Sequence, residues 1–371
     1  MDKIVLVIGH PLITEENRNP FQSKNGIQYC LVSPHVWNAK SAGHRYIFKK
    51  TENGKRKIES LNTIFNGFNT FYFWIGLKQL LEKISPDIIY CWSEAWCFST
   101  WQVSYLTRNK KIPLLFYSAE NRPKNLPFPF SFLQKKCFNN YSGCVVPTEE
   151  IEARIQTAGF TKKVFIVPLP ISIAKLIQAN AANKKLIYVG RLIFLKQVHF
   201  IIESLLSLDA FTLEIIGDGP ERNNLEHLVK KLKLGRRVFF RGFIPNQKLN
   251  ENLDQASLLI LPTAENPKQA EQFGKAALEG LAYGLPVLTN NTGNLVQLSK
   301  RFDTLTAKPL NNAPQMVNAI ESIMSNYPSQ DSINQTREKV LSYCGSSQVT
   351  EIFHSVFHAM LNKIEPQTVL S

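Results

Sequence analysis

The chain has 371 residues, 44% of them apolar, with 43 Lys and Arg against 29 Asp and Glu for a formal net charge of +14. That length and apolar content are enough for two cores of ordinary domain size, which excludes a small disulfide scaffold or a disordered chain. No apolar run approaches the roughly 18 residues a membrane-crossing helix needs.

The opening MDKIVLVIGHP reads as a strand over 3–9 and a loop, not as a charged region before a long apolar core. Further strands are expected at 28–33, 87–91, 113–118, 143–147 and 163–167, with helices near 70–84, 95–108, 130–140 and 148–158. The aromatic-rich segment 61–84 (LNTIFNGFNTFYFWIGLKQLLEKI) follows Lys55, Arg56 and Lys57 and holds few charges. It fits a core helix and an interfacial helix lying on a membrane about equally. Residues 169–184 lack a strand signal and end in an Ala/Asn-rich stretch, so they are expected to link two domains. The second half repeats the alternation, with strands at 186–190, 212–217, 237–241, 257–262 and 286–290. Each is followed by a helix, and helices at 312–325, 333–342 and 347–364 close the chain. Alternating strands and helices call for parallel sheets covered on both faces, an α/β chain of two doubly wound, Rossmann-like domains. No internal repeat is visible.

The chemistry concentrates in the second half. In LIYVGRLIFLKQ (186–197) a buried-type strand ends at Gly190, and Arg191 and Lys196 follow. Cations just past a strand's carboxyl end sit where doubly wound sheets bind ligands, and they offset the charge of a departing diphosphate. Taken alone, Arg191 is equally a surface cation capping a helix. LEIIGDGPERNNL (213–225) adds a strand-to-helix turn, though it lacks the third glycine of a dinucleotide fingerprint. In EQFGKAALE (271–279), Glu271 and Glu279 flank Phe273, Gly274 and Lys275. Eight helical residues span about 12 Å. Such a pair suits the two ends of a diphosphate-linked ligand, one acid on sugar hydroxyls and the other on ribose. A helix start between them offers free N–H groups to phosphate. Taken alone, the pair reads as a first-turn acid, Glu271, and a solvated helix acid, Glu279, since acids at this spacing are common in helices.

These pieces, in this order, resemble the retaining nucleotide-sugar glycosyltransferases of family four, with the GT-B fold. The resemblance rests on YVGRL with Lys196, GDGP, VFFRGFIP (238–245), ASLLILPT (256–263) and EQFGKAALEGLAYGLPV (271–287). Upstream, SAENRPKNLPFPFSFLQKKCF (118–138), VVPTEEIEARIQTAGF (145–160) and VFIVPLPIS (164–172) are similar to the acceptor half of a subgroup that builds cell-surface polysaccharides and glycolipids. The resemblance implies two domains facing a cleft, an acceptor domain over 1–168 and a nucleotide-sugar domain over 185–345. A final helix, within 346–371, would cross back to the first domain. It implies that Arg191, Lys196 and the N–H groups around Phe273, Gly274 and Lys275 stabilise the diphosphate, beside Gly190. Glu271 would orient the sugar, Glu279 would hold the ribose, and Phe243 and Ile244 would meet the base. Glu120, Asn121, Gly9 and His10 would line the acceptor side. It also implies transfer with retention, without an enzyme nucleophile.

The chain departs from the family pattern in places. The usual Gly-rich loop after the first strand is here GHPLITEENRNPFQSKNG (9–26), with only Gly9 and Gly26. Gln297 stands where a Glu is common. The loop TAENPKQA (263–270) is an insertion, and its Glu265 competes with Glu271 for the sugar-binding role.

No two aspartates lie within two residues of each other, so the usual Asp-x-Asp metal pair is missing. His354 and His358 share a helix face without a third ligand. No metal and no cofactor are expected, and the two histidines read as packing. Six scattered cysteines suit a reducing cytosol. Residues 1–180 hold 23 Lys and Arg against 12 Asp and Glu, net +11, leaving net +3 for the rest. That asymmetry fits an anionic membrane surface, a polyprenyl-diphosphate acceptor or an acidic glycan. The expected partners are a nucleotide sugar, a glycan or lipid-linked acceptor and an anionic membrane, on the cytoplasmic face. Nucleic acid fits the charge alone and leaves the second-half motifs unexplained. A sugar-nucleotide epimerase of the same fold and a non-catalytic sugar-nucleotide-binding protein remain as alternatives.

Overall fold

A computed structural model describes residues 2–39, 44–48, 56–171, 177, 179–244, 246–266 and 270–362. The chain divides into two compact units, one of residues 1–170 with 346–371 and the other of residues 171–345.

The first unit is built on a seven-stranded sheet. Its strands are β1 (Lys3–Ile8), β2 (Ile27–Pro34), β5 (Lys57–Leu61), β8 (Ile88–Cys91), β9 (Leu114–Tyr117), β10 (Gly143–Val146) and β11 (Lys163–Ile166). Their order is β11-β10-β9-β8-β1-β2-β5, and every pairing is parallel. Strands buried on both faces read as continuous apolar runs, as IIYC and GCVV do here. One apolar layer holds Leu80, Leu81, Phe116 and Phe138. The other holds Tyr29, Tyr90 and the final helix Ser346–Asn362, through Phe353 and Phe357. His354 and His358 belong to that packing: the rings lie 6.4 Å apart, and His354 Nε2 is 3.0 Å from the Gln22 carbonyl oxygen.

Two small antiparallel ribbons rise between β2 and β8, namely β3 (Val36–Ala39) with β4 (His44–Ile47) and β6 (Thr63–Ile64) with β7 (Phe73–Trp74). The expected helix over 70–84 is thereby corrected. Only Leu77–Ile84 is helical, burying Leu77, Leu80, Leu81 and Ile84, while 61–76 is ribbon and turn. A continuous interfacial helix over 61–84 is therefore absent. Gly67 and Gly76, both at positive φ, break the helical run that the aromatic spacing suggests.

The second unit holds β12 (Lys185–Val189), β13 (Thr212–Ile216), β14 (Val238–Gly242), β15 (Leu258–Leu261), β16 (Val287–Thr289) and β17 (Leu305–Ala307). Their order is β14-β13-β12-β15-β16-β17, again all parallel. Outward from the first strand, the two sheets share one plan without a visible sequence repeat. The expected linker over 169–184 is, where described, part of this unit. Ile177 N–H donates to the Tyr283 carbonyl at 3.1 Å and Asn180 N–H to that of Ala256 at 2.9 Å. Residues 172–176 and 178 of that stretch lie outside the described residues.

Candidate active site

In the second unit the strand order reverses between β12 and β15. Crossovers leave that point in opposite directions, which opens a crevice at the carboxyl ends. Gly190 ends β12 and donates its N–H to the Ile216 carbonyl at 3.0 Å. A Cβ on Gly217 would lie 1.9 Å from the Gly190 carbonyl oxygen, and one on Gly219 2.3 Å from that of Leu192. The two loops therefore pack backbone to backbone. Between them the Tyr188 hydroxyl donates to the Arg191 carbonyl at 2.9 Å. The Arg191 side chain is exposed and, among the described residues, makes no ion pair. Lys196, in the short turn Phe194–Lys196, reaches Thr263 Oγ1 at 3.0 Å and Glu271 Oε2 at 3.5 Å.

Glu271 and Glu279 do not stand on one helix, which corrects the 12 Å helical spacing. The helix is Lys275–Tyr283, preceded by Gly274 at φ 83°, a left-handed conformation that favours glycine. Glu271 lies in the loop before it and folds back on the helix start, its Oε1 accepting from Gly274 N–H at 3.2 Å. The β16 loop clamps this segment. Asn294 N–H donates to the Glu271 carbonyl at 3.1 Å, and Asn294 Nδ2 to that of Phe273 at 2.9 Å. Thr292 Oγ1 donates to the Thr263 carbonyl at 3.1 Å. Glu279 sits on the helix with Lys275 Nζ at 3.6 Å. Phe273 is buried against Tyr343, so only its backbone can face a ligand. Phe243, 66% exposed, and Ile244 follow β14, two strands from β12. Glu265 is exposed on the loop after β15, and 267–269 of the inserted loop lie outside the described residues.

The crevice is thus framed by two cations, a helix start and several loop amides and hydroxyls. Among the described residues, no group of three His, Cys, Asp or Glu could hold a metal ion.

The first unit reverses between β1 and β8. Gly9 and His10 leave β1. A Cβ on Gly9 would lie 2.9 Å from the Trp92 Cβ and carbonyl oxygen, so that loop also closes on its neighbour. The His10 ring stacks on Trp37 at 4.8 Å and meets Tyr72 edge-on at 5.9 Å. Burial lowers its pKa to about 4, leaving it neutral at pH 7, and among the described residues its Nδ1 has no hydrogen-bond partner. The Tyr72 hydroxyl lies 3.2 Å from Ser93 Oγ. Glu120 and Asn121 follow β9. Glu120 is ion-paired with Lys124, whose ammonium lies 5.3 Å from the Trp96 ring centroid, and Asn121 is buried.

Sequence reasoning missed Glu94. It stands three residues past β8, a strand end comparable to the one that Arg191 follows. Its Oε1 accepts from Ala119 N–H at 2.8 Å. Burial raises its pKa to about 7, against the opposing pull of the Ala119 N–H and the Ser118 hydroxyl. The distance of Glu94 from the strand end was the available signal.

Comparison with known proteins gives a consistent result. Residues 173–340 match the family described as glycosyl transferases group 1. An uncharacterized glycosyltransferase of Methanocaldococcus jannaschii is 31% identical over 121 residues, 32% of this chain and 30% of that protein. The match therefore spans about a third of that relative's own length. The lipopolysaccharide core biosynthesis glycosyltransferase LpsE of Rhizobium meliloti is 21% identical over 68% of this chain and 69% of its own. Among solved structures, sucrose-phosphate synthase from Thermosynechococcus elongatus superposes with a TM-score of 0.73 at 15% identity, covering 97% of this chain and all of that one. Anabaena HepE in complex with UDP follows with a TM-score of 0.70 at 14% identity, over 96% and 100%. Likeness at such identities is evidence for the fold, which is GT-B.

Proposed function

From the match of residues 173–340 to the group 1 glycosyl transferases and from the GT-B fold, we propose a metal-independent, retaining hexosyl transfer from a nucleoside-diphosphate sugar. The acceptor is a hydroxyl of a glycan or lipid-linked saccharide of the cell surface, met at an anionic membrane on its cytoplasmic side. One observation carries this reading. Lys196 reaches Glu271, Glu271 folds onto the helix start at Gly274, and Arg191 follows β12 at the switch point. The relatives agree with it, since LpsE takes part in lipopolysaccharide core biosynthesis and the HepE neighbour was solved with UDP.

In this reading the second unit takes the donor. Arg191 and Lys196 meet the diphosphate, and the phosphate competes with Glu271 for the Lys196 ammonium. Glu271, released from that pair, turns to the sugar hydroxyls, and Glu279 holds the ribose. The acceptor oxygen bonds to the anomeric carbon on the face that the phosphate leaves. The carbon–oxygen bond to phosphate breaks, and the acceptor proton passes to the departing phosphate oxygen. Gly9, His10, Glu94, Glu120 and Asn121 of the first unit are the candidates to receive the acceptor.

The test uses UDP- and GDP-hexoses. Arg191→Ala and Lys196→Ala are each expected to reduce kcat/KM by about 2–4 kcal/mol of transition-state stabilisation, as for loss of a preorganised charge. Wild-type turnover in both variants would remove the assigned site. Excess EDTA is expected to leave turnover unchanged. Loss of activity restored by magnesium or manganese would overturn the metal-independent reading.

A further inference from the structure

The first unit displays large apolar side chains to solvent in one region of its fold. Phe65 is 59% exposed, Phe68 45%, Phe71 45%, Ile75 51%, Phe128 82% and Phe132 48%. They come from two stretches, 65–75 and 128–132. The ring of Phe71 joins these stretches, packing on Phe98 at 5.9 Å and on Phe130 at 5.1 Å. Scattered exposed apolar residues are ordinary, but a contiguous set marks an interaction surface.

The display is built rather than frayed. Phe65 holds φ at 55°, a conformation costly for a bulky side chain. The turn is pinned at Asn66, whose Oδ1 accepts from Asn38 N–H at 2.7 Å while its Nδ2 donates to the Val36 carbonyl. A Cβ on Gly67 would lie 2.1 Å from the Asn38 carbonyl oxygen, so the turn is seated directly on β3. Phe68 N–H then donates to the Phe65 carbonyl at 3.3 Å, and Phe71 N–H to that of Phe68 at 3.1 Å. The strained position leaves the Phe65 ring 59% exposed.

The stretches of sequence that carry these rings are basic, which favours an anionic partner. Between residues 95 and 148 the sole acid is Glu120, engaged by Lys124, against the cations Arg108, Lys110, Lys111, Arg122, Lys124, Lys135 and Lys136. No acid occurs between residues 60 and 81. The Lys136 ammonium lies 5.5 Å from the centroid of Phe132, and the Arg108 guanidinium 4.0 Å from that of Tyr105. Aromatic rings beside cations, without acids, match the boundary between lipid headgroups and acyl chains.

We propose that the Phe65–Phe71 turn and the Phe128–Phe132 segment form a docking face for an anionic lipid bilayer. This rests on the reading that the acceptor is met at a membrane and gives that encounter a defined surface. The rings enter the headgroup region, and the surrounding Lys and Arg pair with lipid phosphates. Among the described residues no helix is long and apolar enough to cross the bilayer.

The experiment is vesicle flotation of the whole chain. One set of vesicles is pure phosphatidylcholine, and the other contains about 30% phosphatidylglycerol to carry negative charge. Wild type is expected to float with the anionic set and to detach as salt rises. The variant with Phe65→Ser, Phe128→Ser and Phe132→Ser is expected to lose more than tenfold in partitioning. The same three positions changed to Leu are expected to retain most of it. Thermal shift with nucleoside diphosphate monitors the second unit and should be equal in all three proteins. Equal flotation of the Ser variant and wild type overturns the docking face, as does wild type that floats with neither set. If wild type fails to float but elutes as a dimer that the Ser variant dissolves, the face is instead an interface between copies of this chain. Loss of the nucleotide shift in wild type itself would strike the donor reading and leave the flotation result to stand separately.

Discussion

Glu94 shows how far a single buried carboxyl can bias stability. Its pKa rises from the ordinary 4.5 to about 7. Below pH 4.5 the folded and unfolded chains both hold the proton. Between there and pH 7 the unfolded chain releases it and the folded chain keeps it, so stability falls as pH rises. The full penalty, about 3 kcal/mol, is present above pH 7. His10 works in the opposite direction. Burial lowers its pKa from 6.5 to about 4, so acid protonates the unfolded chain first and stability falls as pH falls. The two slopes oppose one another over the shared window and mask each other in the wild type. Glu94→Gln unmasks them, and its Tm advantage over wild type is expected to be small at pH 5 and large at pH 8. Parallel Tm values at both pH values would mean that Glu94 carries no such penalty. Glu271 and Glu279 separate by ligand instead. Glu279→Gln is expected to weaken free nucleoside diphosphate and sugar nucleotide alike, because both carry the ribose. Glu271→Gln is expected to leave the free diphosphate nearly unchanged and to cut turnover. A charged hydrogen bond contributes roughly 1.5–3 kcal/mol, so the effects should be about ten- to a hundredfold by calorimetry and product assay. If both variants match wild type, Glu265 becomes the candidate for the sugar.

Among the elements, the glycine loops after β12 and β13 set the shape of the crevice. Gly219→Ala would place a methyl group 2.3 Å from the Leu192 carbonyl oxygen, and that oxygen belongs to backbone, which yields poorly. Such overpacking typically costs about 1–3 kcal/mol, so a lower Tm is expected together with weaker nucleoside-diphosphate binding. A wild-type Tm and affinity would show the two loops to be slack. The same elements explain what was legible beforehand. Strands such as IIYC, LIYV and LLIL are buried on both faces, so their apolar runs stand out from the polar loops around them. The cations after β12 were visible because they sit at a fixed offset from such a run. Strand β17 was missed because it lies at the sheet edge with only Leu305 of its three residues buried, so no apolar run marks it, unlike the equally short but fully buried β16. The ribbons between β2 and β8 were missed because they are only two to four residues long and mix buried rings, Trp37 and Trp74, with the exposed Tyr46, giving neither a helical nor a strand period. The Glu271 turn was hidden for another reason. An apolar helix continues the same spacing, and only Gly274 in a left-handed conformation separates the acid from the helix.

At the scale of the whole molecule, the charge lies mostly in residues 1–180, the half that also displays the exposed rings. Residues 171–345 carry the crevice with the two cations, so a loss in lipid binding and a loss in nucleotide binding can be read apart. The second unit also enters and leaves its fold at one place. Ile171 N–H donates to the Cys344 carbonyl at 2.9 Å, and Ile171 bridges Gly345 in parallel. In sequence this makes the unit an insertion into the first, whose own fold resumes at Ser346. A guest whose two ends already touch leaves a gap that a few residues can close. Gene exchange could then replace this unit with another by a single cut-and-paste at that hydrogen bond, while the host kept its own fold.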